Sequence, residues 1–218
     1  MDYLNRDMIM ELDKSGYSKS ENFYQQMSTR RTIRSFSSHS VDKGLLYNAI
    51  KTAGSAPSGA NRQPWHFALV TSQLIKCEIR NAAEVVETEF YSSNASEQWL
   101  SDLKPFGTNN SKPYLSEAPA LICVFSRTNI QTPQADLLKT YYPIESTGIA
   151  VGFLLTALHS AGLATLTHTP KPMFFLNKIL NLDKTYKPFM IIVTGYPKLP
   201  IVLPDIKRKS LKEIMNEY

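Results

Sequence analysis

The sequence predicts a single α+β domain in which helices wrap a central sheet. Helical periodicities come before most of the strands, several short runs rich in β-formers follow, and one long segment is apolar nearly throughout. With 218 residues, 43% of them apolar, the chain suits one folded body with a full core.

Ser18 and Glu21 stand in the spacing of a capping box, so a helix is expected from there through Phe23, Tyr24 and Met27 to about Ser28. Residues 42–53 read as a second helix, with Leu45, Leu46, Ala49, Ile50 and Ala53 on one face and Gly54 just past its end. "HFALVTS" reads as a strand. A long helix over 73–91 follows, with Leu74, Ile75, Ile79, Ala82, Ala83 and Val86 inward. Periodicity weakens over 92–116, which reads as a mobile surface lid. "ALICVFS" is a continuous apolar run suited to a buried strand. The segment 144–163 is long enough to suggest a membrane span. Glu145, His159 and Ser160 within it, and the lack of a basic flank, favour a central helix buried all round. "ATLTHT" is a strand ending at Pro170, 174–180 a helix, "FMIIVTGYP" a strand, and the tail a basic turn followed by a short helix.

Composition narrows the function. The formal charge of +5 is mild and its basic residues are interspersed with acids, which gives little support to a nucleic-acid partner. Cys77 and Cys123 read as small core residues of a reducing compartment, and the first residues carry no apolar leader, so a cytoplasmic protein is expected, with no membrane partner. No glycine-rich dinucleotide turn, P-loop or nucleophile elbow is present, and the four histidines fall at no metal-ligand spacing.

Two stretches remain. In "RRTIRSF", strand-like alternation puts Arg30, Thr32 and Arg34 on one side, a set of donors suited to a phosphate, with Arg208 in "IKRKS" as a further cation. A solvated basic turn is the plainer alternative. In "APSGANRQPWHF", Pro57 and Gly59 make a turn, and small Ser58 and Ala60 let a planar group come close. A tight helix-to-strand connection would leave the same pattern.

"RRTIRSF", "APSGANRQPWHFALV", "YLSEAPALICVF", "YYPIESTGIAVGFLLTALHSAGLATLTHTP" and "VTGYP" together resemble the nitroreductase-like flavoproteins, and among them most closely the iodotyrosine deiodinases, over nearly the whole chain. The resemblance implies the nitroreductase-like fold, a central mixed sheet wrapped by helices in a domain-swapped homodimer, with FMN sites built from both chains. It implies that Arg30, Arg31, Arg34 and Arg208 hold FMN phosphate and ribityl oxygens. Thr32 stands where a serine is more usual. Ser58 and Gly59 would line the flavin, and Thr167, His168 and Thr169 would border it, with a Thr169 hydroxyl bond near flavin N5 favouring one-electron steps. The implied substrate residues are Glu87, Tyr91 and Lys112 for an amino-acid zwitterion, and the Ala60 N–H for a phenolate oxygen. Glu87 and Tyr91, four apart, share a helix face. The expected activity is FMN-dependent reductive dehalogenation of halotyrosines, with NAD(P)H or a reductase as electron donor. A general nitroreductase or quinone reductase acting on nitroaromatics, and a non-catalytic flavin-binding protein, are the alternatives.

Overall fold

A computed structural model describes residues 15–131 and 136–218. The chain divides into two compact units, one ending at Arg31 and one running from Thr32 to Tyr218.

The N-terminal unit contains helix α1 (Gly16–Ser28). The expected capping box does not form: the helix starts earlier, at Gly16, and the Ser18 hydroxyl donates to the Ser15 carbonyl at 2.8 Å instead of accepting from the backbone. Serine favours such local bonds over the cap whenever the helix already runs through it.

In the larger unit, α2 (Lys43–Gly54) opens where the Asp42 carboxylate accepts the Gly44 N–H at 2.6 Å, a cap that contributes about 1 kcal/mol. Strand β1 (Trp65–Val70) and α3 (Gln73–Glu89) follow, and α3 continues as a π-helical turn over Phe90–Asn94. The region read as a surface lid is largely helical. It holds α4 (Glu97–Leu103), a 3-10 turn at Lys104–Phe106 and α5 (Tyr114–Glu117), and Lys112, Tyr114, Leu115 and Ser116 at its far end are buried. Then come β2 (Ala120–Arg127), β3 (Asn129–Gln131) and β4 (Leu137–Lys139), α6 (Pro143–Ser160), β5 (Ala164–His168), α7 (Phe175–Ile179), β6 (Tyr186–Gly195) and α8 (Leu211–Ile214).

The main sheet has the order β1-β2-β6-β5, every pair antiparallel. Its parallel component is one bridge, Thr32 to Thr165, where the Ile33 N–H donates to the Thr165 carbonyl at 3.1 Å. Among the described residues the sheet is mixed only through that bridge. Because side chains alternate across a strand, β2 feeds both cores. Leu121, Cys123 and Phe125 face α3, α5 and α7, while Ala120, Ile122 and Val124 face α2 and α6. Gly195 closes β6 against the Pro119 ring: a Cβ there would lie 2.4 Å from Pro119 Cδ, which is why "VTGYP" needs its glycine.

Two helices depart from their patterns. In α3, Leu74 is 70% exposed and Lys76 is buried in its stead, its amine donating to the Ser116 and Ala118 carbonyls at 3.3 and 2.5 Å. Helix α6 buries Ser146, Thr147, Ala150, Val151, Leu154 and Leu158, but Ile149, Gly152 and Phe153 stand exposed, so within one chain it is not buried all round. No helix among the described residues is long and apolar enough to cross a membrane.

Candidate active site

A cavity of about 380 Å³ opens between the end of α3, the 90–112 region and β5. Its lining includes seven residues singled out in the sequence: Arg34, Glu87, Tyr91, Lys112, Thr167, His168 and Thr169. Thr32 and Arg34 also line a neighbouring cavity beside Phe106 and Lys198.

A polar stripe on α3 places the acidic side of the site. Residues 73, 76, 80, 84, 87 and 91 recur every three or four positions and so share one helix face. The Gln73 amide donates to the Ser116 carbonyl at 3.1 Å, and Arg80 Nη1 to the Ser116 hydroxyl at 3.0 Å. Glu84 Oε1 accepts the Lys112 N–H at 2.6 Å and Arg80 Nε at 2.9 Å. Burial alone would raise the Glu84 carboxyl, but the Lys112 N–H, Arg80 and Ser111 together hold it below the usual range. One turn on, Glu87 Oε2 meets Lys112 Nζ at 3.1 Å, and that amine stands 5.3 Å from the centre of the Tyr91 ring. Lys112 also donates to Thr108 Oγ1 at 3.1 Å and to the Asn109 carbonyl. Burial outweighs the pull of Glu87 and lowers the amine from its ordinary value.

Strand alternation arranges the opposite wall. Thr167 and Thr169 are exposed, while His168 between them is buried. The Tyr114 hydroxyl lies 3.4 Å from His168 Nδ1, and burial raises the Tyr114 phenol well above its ordinary value. Burial, helped by the Lys112 charge, pushes His168 down to about 3, so the ring is neutral and its 3.9 Å approach to Glu87 is not an ion pair. Below its ordinary value of 6.5 the unfolded chain binds a proton that the folded ring refuses, so stability falls as pH drops from 6.5 towards 3. Between pH 6.5 and 5 this residue is expected to cost about 2 kcal/mol, seen as a drop in urea midpoint that His168→Leu reduces.

The other predicted residues lie outside this lining. Ser58, Gly59 and Ala60 form the turn before β1, closed by Asn61 N–H to the Ser58 carbonyl at 3.0 Å and Gln63 N–H to the Ser58 hydroxyl at 2.9 Å. Ala60, Asn61 and Gln63 all have positive φ, a strained run for non-glycine residues. Gly59 bridges Tyr141, and a Cβ there would stand 2.8 Å from the Tyr141 carbonyl oxygen, so the glycine is required by that contact alone. Arg208 is exposed in the tail. Arg30 and Arg31 end the N-terminal unit, leaving Arg34 as the cation of "RRTIRSF" that lines the cavity. Sequence reasoning missed Arg80, Glu84, Trp99, Thr108 and Tyr114. Glu84 and Arg80 could have been found by extending the Glu87–Tyr91 spacing backward along the helix.

The donor set fits a planar, phosphorylated group. Arg34 supplies a fixed positive charge, and Thr167 in the edge strand β5 and Thr169 just past its end add hydroxyl-bearing side chains to the lining. Among the described residues no group of three acidic, cysteine or histidine side chains could hold a metal.

Residues 27–196 match the Nitroreductase family. The chain is 47% identical to the iodotyrosine deiodinase of Haliscomenobacter hydrossis over 92% of its length and 90% of the relative's, and 37% identical to human iodotyrosine deiodinase 1 over 93% and 71%. A solved structure of an oxidised iodotyrosine deiodinase bound to FMN and 3-iodo-L-tyrosine superposes with a TM-score of 0.78 at 31% identity, over 90% of this chain and 98% of that one. A BluB-like flavoprotein from Clostridium difficile shares the fold alone, at 20% identity and a TM-score of 0.68. These likenesses show that the chain belongs to the nitroreductase family and, within it, to the iodotyrosine deiodinases.

Proposed function

We propose that this protein is an FMN-dependent oxidoreductase that removes halogen reductively from halotyrosines. The carrying observation is the Glu87–Lys112 pair, opposite charges 3.1 Å apart and largely buried beside the Tyr91 ring. A free amino acid offers the complement of both charges, its ammonium to Glu87 and its carboxylate to Lys112, and Tyr91 covers its ring. The Ala60 N–H takes the phenolate oxygen. Arg30, Arg31, Thr32, Arg34 and Arg208 hold the phosphate and ribityl oxygens of FMN, Ser58 and Gly59 border its ring, and Thr167, His168 and Thr169 flank it. When bound, FMN supplies two electrons which, with a proton, replace the carbon–halogen bond by carbon–hydrogen and release halide. Thr169 donates its hydroxyl near N5, and the 92–116 region excludes water from the buried pair.

The exposed Ile149–Gly152–Phe153 stripe on α6 supports a homodimer, in which a second chain covers it and completes each site. Light scattering is expected to give twice 24.6 kDa. The free thiols Cys77 and Cys123 suit a cytoplasmic protein. NAD(P)H, directly or through a reductase, is the proposed donor.

The purified protein is expected to be yellow, to lose FMN fluorescence on adding micromolar 3-iodotyrosine, and to release iodide under dithionite. Arg34→Ala should weaken FMN retention at least about tenfold, since a charge-assisted contact contributes about 1.5–3 kcal/mol. Absence of both quenching and iodide release would leave a nitroreductase. Nitroaromatic reduction that survives Glu87→Gln and Lys112→Ala would then identify it.

A further inference from the structure

We propose that His168 is a positioning residue for recognition of the substrate ammonium: its Nε2–H aligns the free oxygen of the Glu87 carboxylate, and the Tyr114 hydroxyl fixes the tautomer that makes this possible. The inference rests on the deiodinase reading above, which it deepens.

Glu87 has two oxygens with unequal surroundings. Oε2 is held by Lys112 at 3.1 Å, while Oε1 stands 3.9 Å from His168 Nε2, itself buried and without a hydrogen-bond partner. The imidazole is 6% exposed, and the Tyr114 ring packs edge-on against it with centroids 5.7 Å apart. Its second nitrogen, Nδ1, lies 3.4 Å from the Tyr114 hydroxyl. The charged and titratable groups around this cavity are Arg34, Glu87, Tyr91, Lys112, Tyr114 and Lys171.

A neutral imidazole carries one N–H, so two tautomers compete. With the proton on Nδ1, the Nε2 lone pair would face a carboxylate oxygen across a buried gap, which is repulsive. With the proton on Nε2, the Tyr114 O–H donates to Nδ1 and Nε2 becomes a donor on the side where Glu87 Oε1 stands 3.9 Å away, so donor and acceptor are matched on both sides of the ring. Depression of the imidazole by burial and by Lys112 keeps the ring neutral through the working pH range. Neutrality matters, because an imidazolium would compensate the Glu87 charge and compete with the incoming ammonium, whereas a neutral donor orients the carboxylate and leaves its charge available. The gap from 3.9 Å to hydrogen-bond length is about 1 Å, within reach of a small rotation of Glu87 as the ligand enters.

Two measurements test this. Long-range proton–nitrogen NMR on the FMN-loaded protein should show His168 as the Nε2–H tautomer, unchanged from pH 5 to 8. An Nδ1–H tautomer, or a ring that titrates in that range, would overturn the proposal. Binding and turnover of 3-iodotyrosine should show His168→Leu raising both Kd and KM about tenfold with kcat altered less than threefold, the split expected when binding is lost equally from ground and transition states. His168→Gln, which keeps an N–H donor, should recover most of that loss, and Tyr114→Phe should cost about threefold. An unchanged Kd in His168→Leu, or FMN loss in parallel with substrate loss, would overturn it. A wild-type protein that shows the Nε2–H tautomer yet binds no 3-iodotyrosine would sink the deiodinase reading instead, with His168 still the group that orients Glu87.

Discussion

Replacing Lys112 by methionine is expected to weaken 3-iodotyrosine binding about thirtyfold or more while FMN stays in place. The lysine is 3% exposed, and its amine bonds Glu87, Thr108 and the Asn109 carbonyl. Methionine keeps much of the stem volume but no charge. Two groups then lose their partner: the substrate carboxylate, and Glu87, whose oxygen is left in a largely buried site. Removing one member of such a desolvated pair costs about 2–5 kcal/mol, and each 1.4 kcal/mol is a factor of about ten in Kd. Glu87→Gln should fall in the same range for the mirrored reason. Titration of FMN fluorescence reads both constants, and a Kd within threefold of wild type for Lys112→Met would refute the assignment of this pair to the zwitterion.

Leu115→Ala should lower unfolding free energy by about 2–5 kcal/mol, whereas Trp99→Ala should cost about 1 kcal/mol. Both residues lie in the stretch whose sequence reads as a surface lid. Leu115 is fully buried in the core formed with Ile79, Ala83 and Phe125, so its truncation leaves a cavity walled by a helix and a sheet that do not collapse easily. Trp99 is 53% exposed and meets Phe90 edge-on at 4.8 Å, a contact that water replaces at small cost. Urea unfolding followed by fluorescence and circular dichroism gives both values. Equal costs would mean that Trp99 is held as firmly as Leu115, against the difference in their burial. Unequal costs would mean that the 114–117 end of the stretch belongs to the core while Trp99 packs only at its surface.

The long helices and the four sheet strands were legible because each carries its own period: every third or fourth position for α2 and α3, continuous apolar runs for β2 and β6. The β3–β4 hairpin was not, since three-residue strands of mixed polarity such as Asn129–Gln131 leave no period to detect. Burial of Lys76 in place of Leu74 was also hidden, because the acceptors that make it favourable, the Ser116 and Ala118 carbonyls, lie some forty positions away. For the candidate site, motifs singled out Glu87, Tyr91, Lys112 and Thr169, and all four line one cavity. The pairing of Tyr114 with His168 spans 54 positions and has no local signature.

The polar stripe on α3 acts as a ruler whose graduations are helical turns. Each graduation from 73 to 87 grips the backbone or a side chain of residues 112–118, so the whole scale must keep its phase. Inserting one residue between Arg80 and Glu84 would turn everything beyond it by about 100° and advance it about 1.5 Å, carrying Glu87 away from Lys112 and Tyr91 off the cavity. An insertion of the same size between α4 and Lys112 meets no such scale. Changes in length among relatives are therefore expected between residues 92 and 110, where adding or trimming chain would admit substrates of different bulk, and the span from Gln73 to Tyr91 is expected to keep its count even where its side chains change.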